Sequence, residues 1–301
     1  MVNTLRRVGG WFDRQPYLLL SFTSFFWAGN VVLGRFAAGH VPPVALSVIR
    51  WAGACLIVLP FAWPHLKGDW PEIRRRFGFM TVLTLCGISA YNTMAYYGLQ
   101  YTEAINGLLI QSINPFMIAL WSLILLRERL AFNQAVGITC SLAGVLVILC
   151  RGDVAILTGV GFNRGDVWIL AAVAIFAIYS TLAKRRPKIH ALSFLAFTTG
   201  WGAILLLPVL AHEISTGYTL TFDTVTFATL GYVVLFPSAI SYLFFNRGIE
   251  LVGPNRAAPF MHLIPVFGSA LAILFLGEMP QLYHAVGYGL VLTGIFVATR
   301  R

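Results

Sequence analysis

The chain alternates between long apolar runs and short breaks rich in proline, glycine and charge. Ten runs stand out, near 17–38, 43–63, 77–98, 103–126, 132–150, 165–184, 191–211, 225–246, 255–276 and 281–299. Each is long enough to cross a bilayer, since about 20 mainly apolar residues span roughly 30 Å of hydrocarbon as a helix. The breaks are brief, as in HVPP at 40–43, except for GDVAILTGVGFNRGD at 152–166, near the middle of the chain. The pattern therefore predicts an all-α integral membrane protein with ten transmembrane helices.

The runs also repeat. Residues 111–144, QSINPFMIALWSLILLRERLAFNQAVGITCSLAG, return 150 positions later as MHLIPVFGSALAILFLGEMPQLYHAVGYGLVLTG. Pro115 falls on Pro265, Glu128 on Glu278, Gly137 on Gly287 and Gly144 on Gly294, with no gap back to Gly98 and Gly248. Such an interval predicts two units, 1–152 and 153–301, of five helices each. An odd number of helices turns the second unit over in the membrane. The turn Arg127-Glu128-Arg129 agrees, because its later copy, Gly277-Glu278-Met279, keeps the glutamate and loses both arginines. Two inverted five-helix repeats around a central cavity form a carrier architecture, with the substrate near mid-depth between them.

Charge sharpens this reading. Only 11% of residues are charged and 58% are hydrophobic, against about a quarter charged in soluble domains. The net charge of +10 comes from short clusters between apolar runs, so it marks membrane sidedness and contact with anionic headgroups, not nucleic acid. With a cytoplasmic N-terminus, the inner segments gather Arg6, Arg7, Arg14, Lys67, Arg74 to Arg76, Arg127, Arg129, Lys184 to Arg186, Lys188, Arg247, Arg256, Arg300 and Arg301. The outer loops keep Arg151 and Arg164, with Arg35 near the outer end of the first run. Both termini are expected in the cytoplasm. The basic stretch 1–16 followed by an apolar run resembles a signal peptide, but the run is long enough to span and is read as the first helix. Cys55, Cys86, Cys140 and Cys150 lie in or at the end of apolar runs without CxxC or histidine spacing, so neither a disulfide framework nor a metal site is expected. No cofactor is expected. An enzyme would need paired intramembrane acids, an HExxH helix or an aspartate-rich turn, and the chain has none of these.

FFWAGNVVLGR at 25–35, YYGLQYTEAINGLLIQSINPFMIAL at 96–120 and the paired RERL…AVG…LAG and GEMP…AVG…LTG elements resemble the drug/metabolite transporter superfamily, in particular its ten-helix EamA-type members. The likeness covers nearly the whole chain. Within the family it is most similar to bacterial exporters of aromatic and other neutral amino acids that also pass the dication paraquat. The resemblance implies a basket of helices 1–4 and 6–9 around the cavity, helices 5 and 10 outside it, and a bacterial inner-membrane location. A broad drug or cation exporter coupled to protons, or a lipid flippase, would share this architecture.

Candidate residues follow from depth. In the fourth run Glu103, Gly107, Gln111, Asn114 and Ile118 share one helical face, and the neutral amides of Gln111 and Asn114 suit a zwitterion. The alternative for them is hydrogen bonding between helices. Pro115 and Pro265 each free a carbonyl and kink their runs, either as paired gate hinges or as fixed bends. His262, the repeat partner of Ser112, offers a proton-sensing or a structural role. Trp27, Tyr91, Tyr179 and Tyr242 lie too deep for a headgroup belt, and with Asn30 they predict an aromatic, mostly apolar substrate pocket. Trp201 is read as packing. Arg50 is the cation well inside a run, where a structural network outranks binding of a substrate carboxylate. The carboxylates Glu103, Glu128, Asp166, Glu250 and Glu278 fall at run ends or turns, which favours uniport or exchange over proton antiport. Glycines on one face of runs 5 and 10 predict close packing. The expected partners are a small-molecule substrate and the bilayer, with a monomer preferred and a homodimer as the alternative.

Overall fold

Among the described residues, the apolar runs fold as helices, with a break at Ser112 and Ile113. A computed structural model describes residues 10–37, 41–102, 104–153, 155–158, 161, 163–217, 223–276 and 279–300, and among these there is no strand. Helix α1 is Pro16–Ala37 and α2 is Pro43–Arg75. Helix α3 joins Phe77–Thr84 to Ala90–Gly98 through a π-helical turn at Leu85–Ser89. Helix α4 runs Ala104–Gln111, breaks, and resumes as Asn114–Trp121 before a π turn at Ser122–Leu126. Helices α5, α6 and α7 are Phe132–Leu149, Arg164–Leu182 and Ala191–Ser215. Helix α8 has Thr224–Val233 and Ser241–Val252 on either side of a π turn at Val234–Ile240. Helix α9 starts as Pro254–Ala257, tightens to a 3-10 turn at Ala258–His262 and continues as Leu263–Leu276; α10 is Leu282–Thr299.

Among the described residues, eight helices are long and apolar enough to cross a membrane. The eight do not include α1, part of whose side chains fall outside the described residues, or α3, whose second half carries Asn92, Thr93, Tyr96 and Tyr97. Arg6, Arg7, Glu103, Glu278 and Arg301, and the side chain of Arg35, also lie outside the described residues.

Helix α2 departs from expectation. Its apolar run ends near residue 63, yet the helix is 33 residues long and continues to Arg75 through Pro60, Pro64 and Pro71. These prolines stand four and seven residues apart, so their missing donors fall on one side and bend the helix without ending it. At 1.5 Å per residue the helix is roughly 50 Å long, well beyond the hydrocarbon thickness. Glu72 pairs with Arg75 at 2.5 Å and Arg76 at 2.8 Å to close its last turn. At its start, Glu213 of α7 accepts from the Val44 and Ala45 amides at 2.9 and 2.8 Å, which satisfies orphan donors and complements the positive helix end.

The predicted glycine faces meet each other. Helices α5 and α10 pack antiparallel, with Gly137 against Gly294 and Gly144 against Gly287. A Cβ on Gly144 would stand 2.6 Å from the Gly287 carbonyl oxygen, and one on Gly294 would stand 2.5 Å from the Gly137 carbonyl oxygen. The backbones therefore touch, which only glycine permits. This face is consumed inside the chain and is not free to join a second copy.

At one end of the bundle, ion pairs tie the loops together. Lys184 meets Glu128, Arg186 meets Glu250 at 2.6 Å, and Arg247 joins Asp13 and Glu250 at 2.9 and 3.1 Å. Beside them the end of α2 and residues 184–189 border a cavity of about 700 Å³. At the other end, Asp166 accepts from the Thr102 hydroxyl at 2.5 Å and the Asn163 amide at 2.9 Å, fixing the start of α6.

Candidate substrate site

The structure sorts the sequence-derived candidates into two groups. The first is an aromatic cluster built from both halves of the chain. The ring of Trp27 on α1 lies 5.9 Å from Tyr242 and 5.1 Å from Phe245 on α8, and 5.8 Å from Phe176 on α6. Phe176 also holds Tyr91 of α3 at 4.4 Å and Tyr179 at 5.7 Å, and Trp51 of α2 stands 5.1 Å from Tyr242. The four predicted rings are thus joined. Tyr179 and Tyr242 are fully buried, while Trp27 and Tyr91 keep some accessible surface. Asn30, one turn beyond Trp27, is half-buried.

The polar atoms of these rings find partners that a helical pattern alone does not supply. Within an ordinary α-helix each interior carbonyl is taken by the amide four residues on; a π turn shifts this pairing and frees carbonyls. The π turn of α3 presents the Gly87 carbonyl, which accepts the Tyr242 hydroxyl at 2.7 Å. The π turn of α8 presents the Pro237 carbonyl, which accepts Trp27 Nε1–H at 3.1 Å. Gly87 and Pro237 are one repeat interval apart. Tyr179 donates to Asn246 Oδ1 at 2.7 Å.

Arg50 lies at the edge of this cluster, 2% exposed. Its Nε donates to Ser238 Oγ at 2.6 Å, Nη1 to Asn92 Oδ1 at 3.1 Å and to the Tyr96 hydroxyl at 2.9 Å, and Nη2 to the Pro237 carbonyl at 3.3 Å. The guanidinium carbon also sits 4.6 Å from the centre of the Trp51 ring. Arg50 thus sits in a structural network that joins α2 to α3 and α8.

The second group lies where α4 and α9 break. Pro115 was expected to kink its helix; the chain goes further and separates into two helices at Ser112 and Ile113. The Phe116 amide turns to the Ile113 carbonyl at 3.0 Å, so the Ser112 carbonyl loses its helical donor. His262 replaces it, with Nε2 at 2.9 Å, while Nδ1 lies 2.6 Å from Ser141 Oγ of α5. A carbonyl only accepts, so Nε2 carries hydrogen, while Nδ1 faces a Ser141 hydroxyl that also lies 3.0 Å from the Ile138 carbonyl. His262 thus pins α9 to α4 and α5. Replacing it with leucine leaves a buried carbonyl without a donor, at a cost of about 1–3 kcal/mol; we expect His262→Leu to lower the thermal unfolding midpoint of the purified protein.

Asn114 is 1% exposed, and neither its amide nitrogen nor its oxygen has a hydrogen-bond partner. Gln111 is half-buried. The face they share runs along α6: Gly107 approaches Ile169, and the Ile118 carbonyl is 3.4 Å from the Thr181 hydroxyl. The ring and hydrogen-bond contacts above run within each group. Pro265 follows the 3-10 turn of α9, and its carbonyl accepts Ser269 Oγ at 2.7 Å. Trp201 packs on Phe77, with ring centres 5.4 Å apart, and donates to Thr81 at 3.2 Å, in keeping with a packing role.

Sequence reasoning missed Trp51, Phe176, Phe245, Asn92, Tyr96 and Asn246. One signal was present. Asn92 and Tyr96 fall on the repeat positions of Tyr242 and Asn246, with the residue types exchanged. Each pair is four residues apart and shares a helix face.

A model of the EamA-like transporter family matches the chain twice, over residues 15–150 and 163–300. The chain belongs to the EamA-like transporter family. It is accordingly a multi-pass membrane transporter, of a family of transporters and not enzymes. This EamA-like chain is 26% identical over 290 residues to the uncharacterized transporter YyaM of Bacillus subtilis, covering 94% of this chain and 93% of that one. It is 25% identical over 287 residues to a probable terminal-alkyne amino-acid exporter of Streptantibioticus cattleyicolor, with 94% and 92% covered. A solved crystal structure superposes with a TM-score of 0.75 at 20% identity, over 93% of this chain and 95% of the other, and so shares the fold.

Proposed function

We propose that this transporter exports aromatic and other neutral amino acids and related metabolites across the bacterial inner membrane by alternating access. The observation that carries the reading is the aromatic cluster with a polar edge, contributed by α1, α2 and α3 from one half and α6 and α8 from the other. Such walls suit bulky apolar side chains, and the amides beside them suit a zwitterion. The amino-acid exporter of S. cattleyicolor, similar over nearly the whole chain, points the same way.

Ten spans in two inverted five-helix units, 1–152 and 153–301, with both termini in the cytoplasm, form the frame of this proposal. Its support is the double family match, the antiparallel α5–α10 pair, the repeat-equivalent π turns, and the bond from His262 to its own repeat partner Ser112. Trp27, Asn30, Tyr91, Tyr179 and Tyr242 would form the substrate walls. Gln111 and the unsatisfied Asn114 would add polar contacts beside His262, and the breaks at Pro115 and Pro265 would act as paired hinges. Uniport or exchange fits best, because the buried acids Asp166 and Glu213 are occupied at helix ends.

Counterflow in proteoliposomes tests this. Unlabelled phenylalanine inside should accelerate labelled phenylalanine uptake, and leucine, tryptophan and paraquat should be ranked beside it. Acceleration by paraquat alone would replace the amino-acid reading with a cation exporter. Substrate-dependent collapse of an imposed pH gradient would replace uniport with proton coupling.

A further inference from the structure

Arg50 is a buried cation that forms no ion pair among the described residues. We infer that its guanidinium, with Asn92 beside it, is the recognition site for a carboxylate on the transported solute. This rests on the proposed central site and names the chemical group that the site selects.

A guanidinium stays protonated under all ordinary conditions, so Arg50 carries its full charge inside the bundle. Burying a charge is costly unless it is paired and hydrogen-bonded. The ion pairs among the described residues occupy Asp13, Glu72, Glu128 and Glu250, and none involves Arg50. Glu213 is the nearer acid along α2. It is taken by the amides of Val44 and Ala45, six and five residues before Arg50, about 8–9 Å away along the helix axis. The four groups that Arg50 does bond are a serine, an amide, a phenol and a backbone carbonyl, all uncharged. They hold the guanidinium in place and leave its charge uncompensated.

Two further observations point to a ligand. Of the five guanidinium N–H groups, the four hydrogen bonds account for four, and one on Nη2 is left over. Asn92 is 94% buried, since its exposure is 6%; its Oδ1 accepts from Arg50, and its Nδ2, which lies toward the Tyr242 hydroxyl, completes no hydrogen bond of full geometry. A cationic N–H and an amide N–H on neighbouring groups are the donors a carboxylate takes. Tyr96, which accepts from Nη1, and Tyr91, one residue before Asn92, both keep accessible surface beside this point. Beyond lie Trp27 and Phe176, which would receive an aromatic or aliphatic side chain attached to the carboxylate.

The test uses the purified full chain, both in proteoliposomes and in detergent. Labelled phenylalanine counterflow is competed with phenylalanine and with phenylalaninamide, which lacks the carboxylate. Thermal stabilisation is read with phenylalanine and benzoate against benzamide, so that binding is measured whether or not counterflow is seen. The wild type should prefer acid over amide by at least about tenfold, which corresponds to 1.4 kcal/mol. Arg50→Gln should raise the apparent KM for phenylalanine by about thirtyfold or more and erase the acid–amide preference, while Arg50→Lys keeps part of it. Because Arg50→Gln removes several internal bonds and can fail to fold, Asn92→Ala serves as a second variant, expected to weaken acid binding and leave amide binding unchanged. Equal binding of acid and amide by the wild type, or an Arg50→Gln protein with unchanged preference, overturns the site. Phenylalaninamide and benzamide outcompeting their acids overturns it too. Stabilisation by benzoate without any amino-acid counterflow keeps the carboxylate site and removes the amino-acid reading above.

Discussion

Tyr91→Ala is expected to cut apparent affinity for aromatic substrates by roughly ten- to a hundredfold while leaving the folded protein in the membrane. Tyr91 touches Phe176 with ring centres 4.4 Å apart, keeps part of its surface accessible, and has no hydroxyl bond on which the helix packing depends among those described above. Its loss removes a wall without removing a strut. An apolar ring that contacts a bound side chain contributes on the order of 1.5–3 kcal/mol, which sets the range of the fold-change. Tyr91→Phe, which keeps the ring, should stay within about threefold. Tyr242→Ala makes a poor comparison, since Tyr242 is fully buried and donates to the Gly87 carbonyl, so folding would suffer first. Trp201→Ala is the better control, because that ring packs on Phe77 outside the cluster. Substrate titration of counterflow decides the matter, and a Tyr91→Ala curve lying on the wild-type curve would remove the aromatic cluster as the site.

The largest expected loss of stability comes from Gly294→Leu. A Cβ there stands 2.5 Å from the Gly137 carbonyl oxygen and 2.5 Å from the Ser141 amide nitrogen, both of them backbone atoms of the facing helix. A flexible side chain would yield; a helix backbone does not, so α5 and α10 must part along the seam. Overpacking usually costs about 1–3 kcal/mol, and a clash against backbone belongs at or above the top of that range. Thermal unfolding of purified protein should show a marked fall in midpoint, or the variant should fail to accumulate. Gly289 on the same helix has nothing within 4 Å of an added Cβ, so Gly289→Leu should change little. Similar midpoints for the two variants would mean that the seam does not hold the fold together.

Helix positions were legible because runs of about 20 apolar residues leave few alternatives in a bilayer. Irregularity in α4 and α9 was legible in part: Pro115 and Pro265 withhold donors in repeat-equivalent places, which predicts a kink and not the separation at Ser112 and Ile113 or the 3-10 turn at Ala258–His262. The end of α2 was not. The apolar run stops near residue 63, whereas the helix carries on through Pro64 and Pro71 to Arg75, because prolines four and seven residues apart withhold their donors on one side. Within the site, Trp27, Tyr91, Tyr179 and Tyr242 stood out by depth, and the structure brings these four together. Trp51, Phe176 and Phe245 did not, because an apolar ring in a span serves lipid as readily as it serves a neighbour. The role of Arg50 depends on which carboxylates are already occupied, which spacing along the chain cannot reveal. The π turns were equally hidden, because one extra residue per turn leaves no compositional trace.

Two helices in backbone contact at two successive points resist sliding past each other, so α5 and α10 are expected to move as one body. Whatever rearrangement carries a solute from one side to the other must then be divided among the remaining helices, turning against this pair. Spectroscopic labels on α5 and α10 would supply a fixed origin, and displacements measured from it would separate the moving parts from tumbling of the whole molecule.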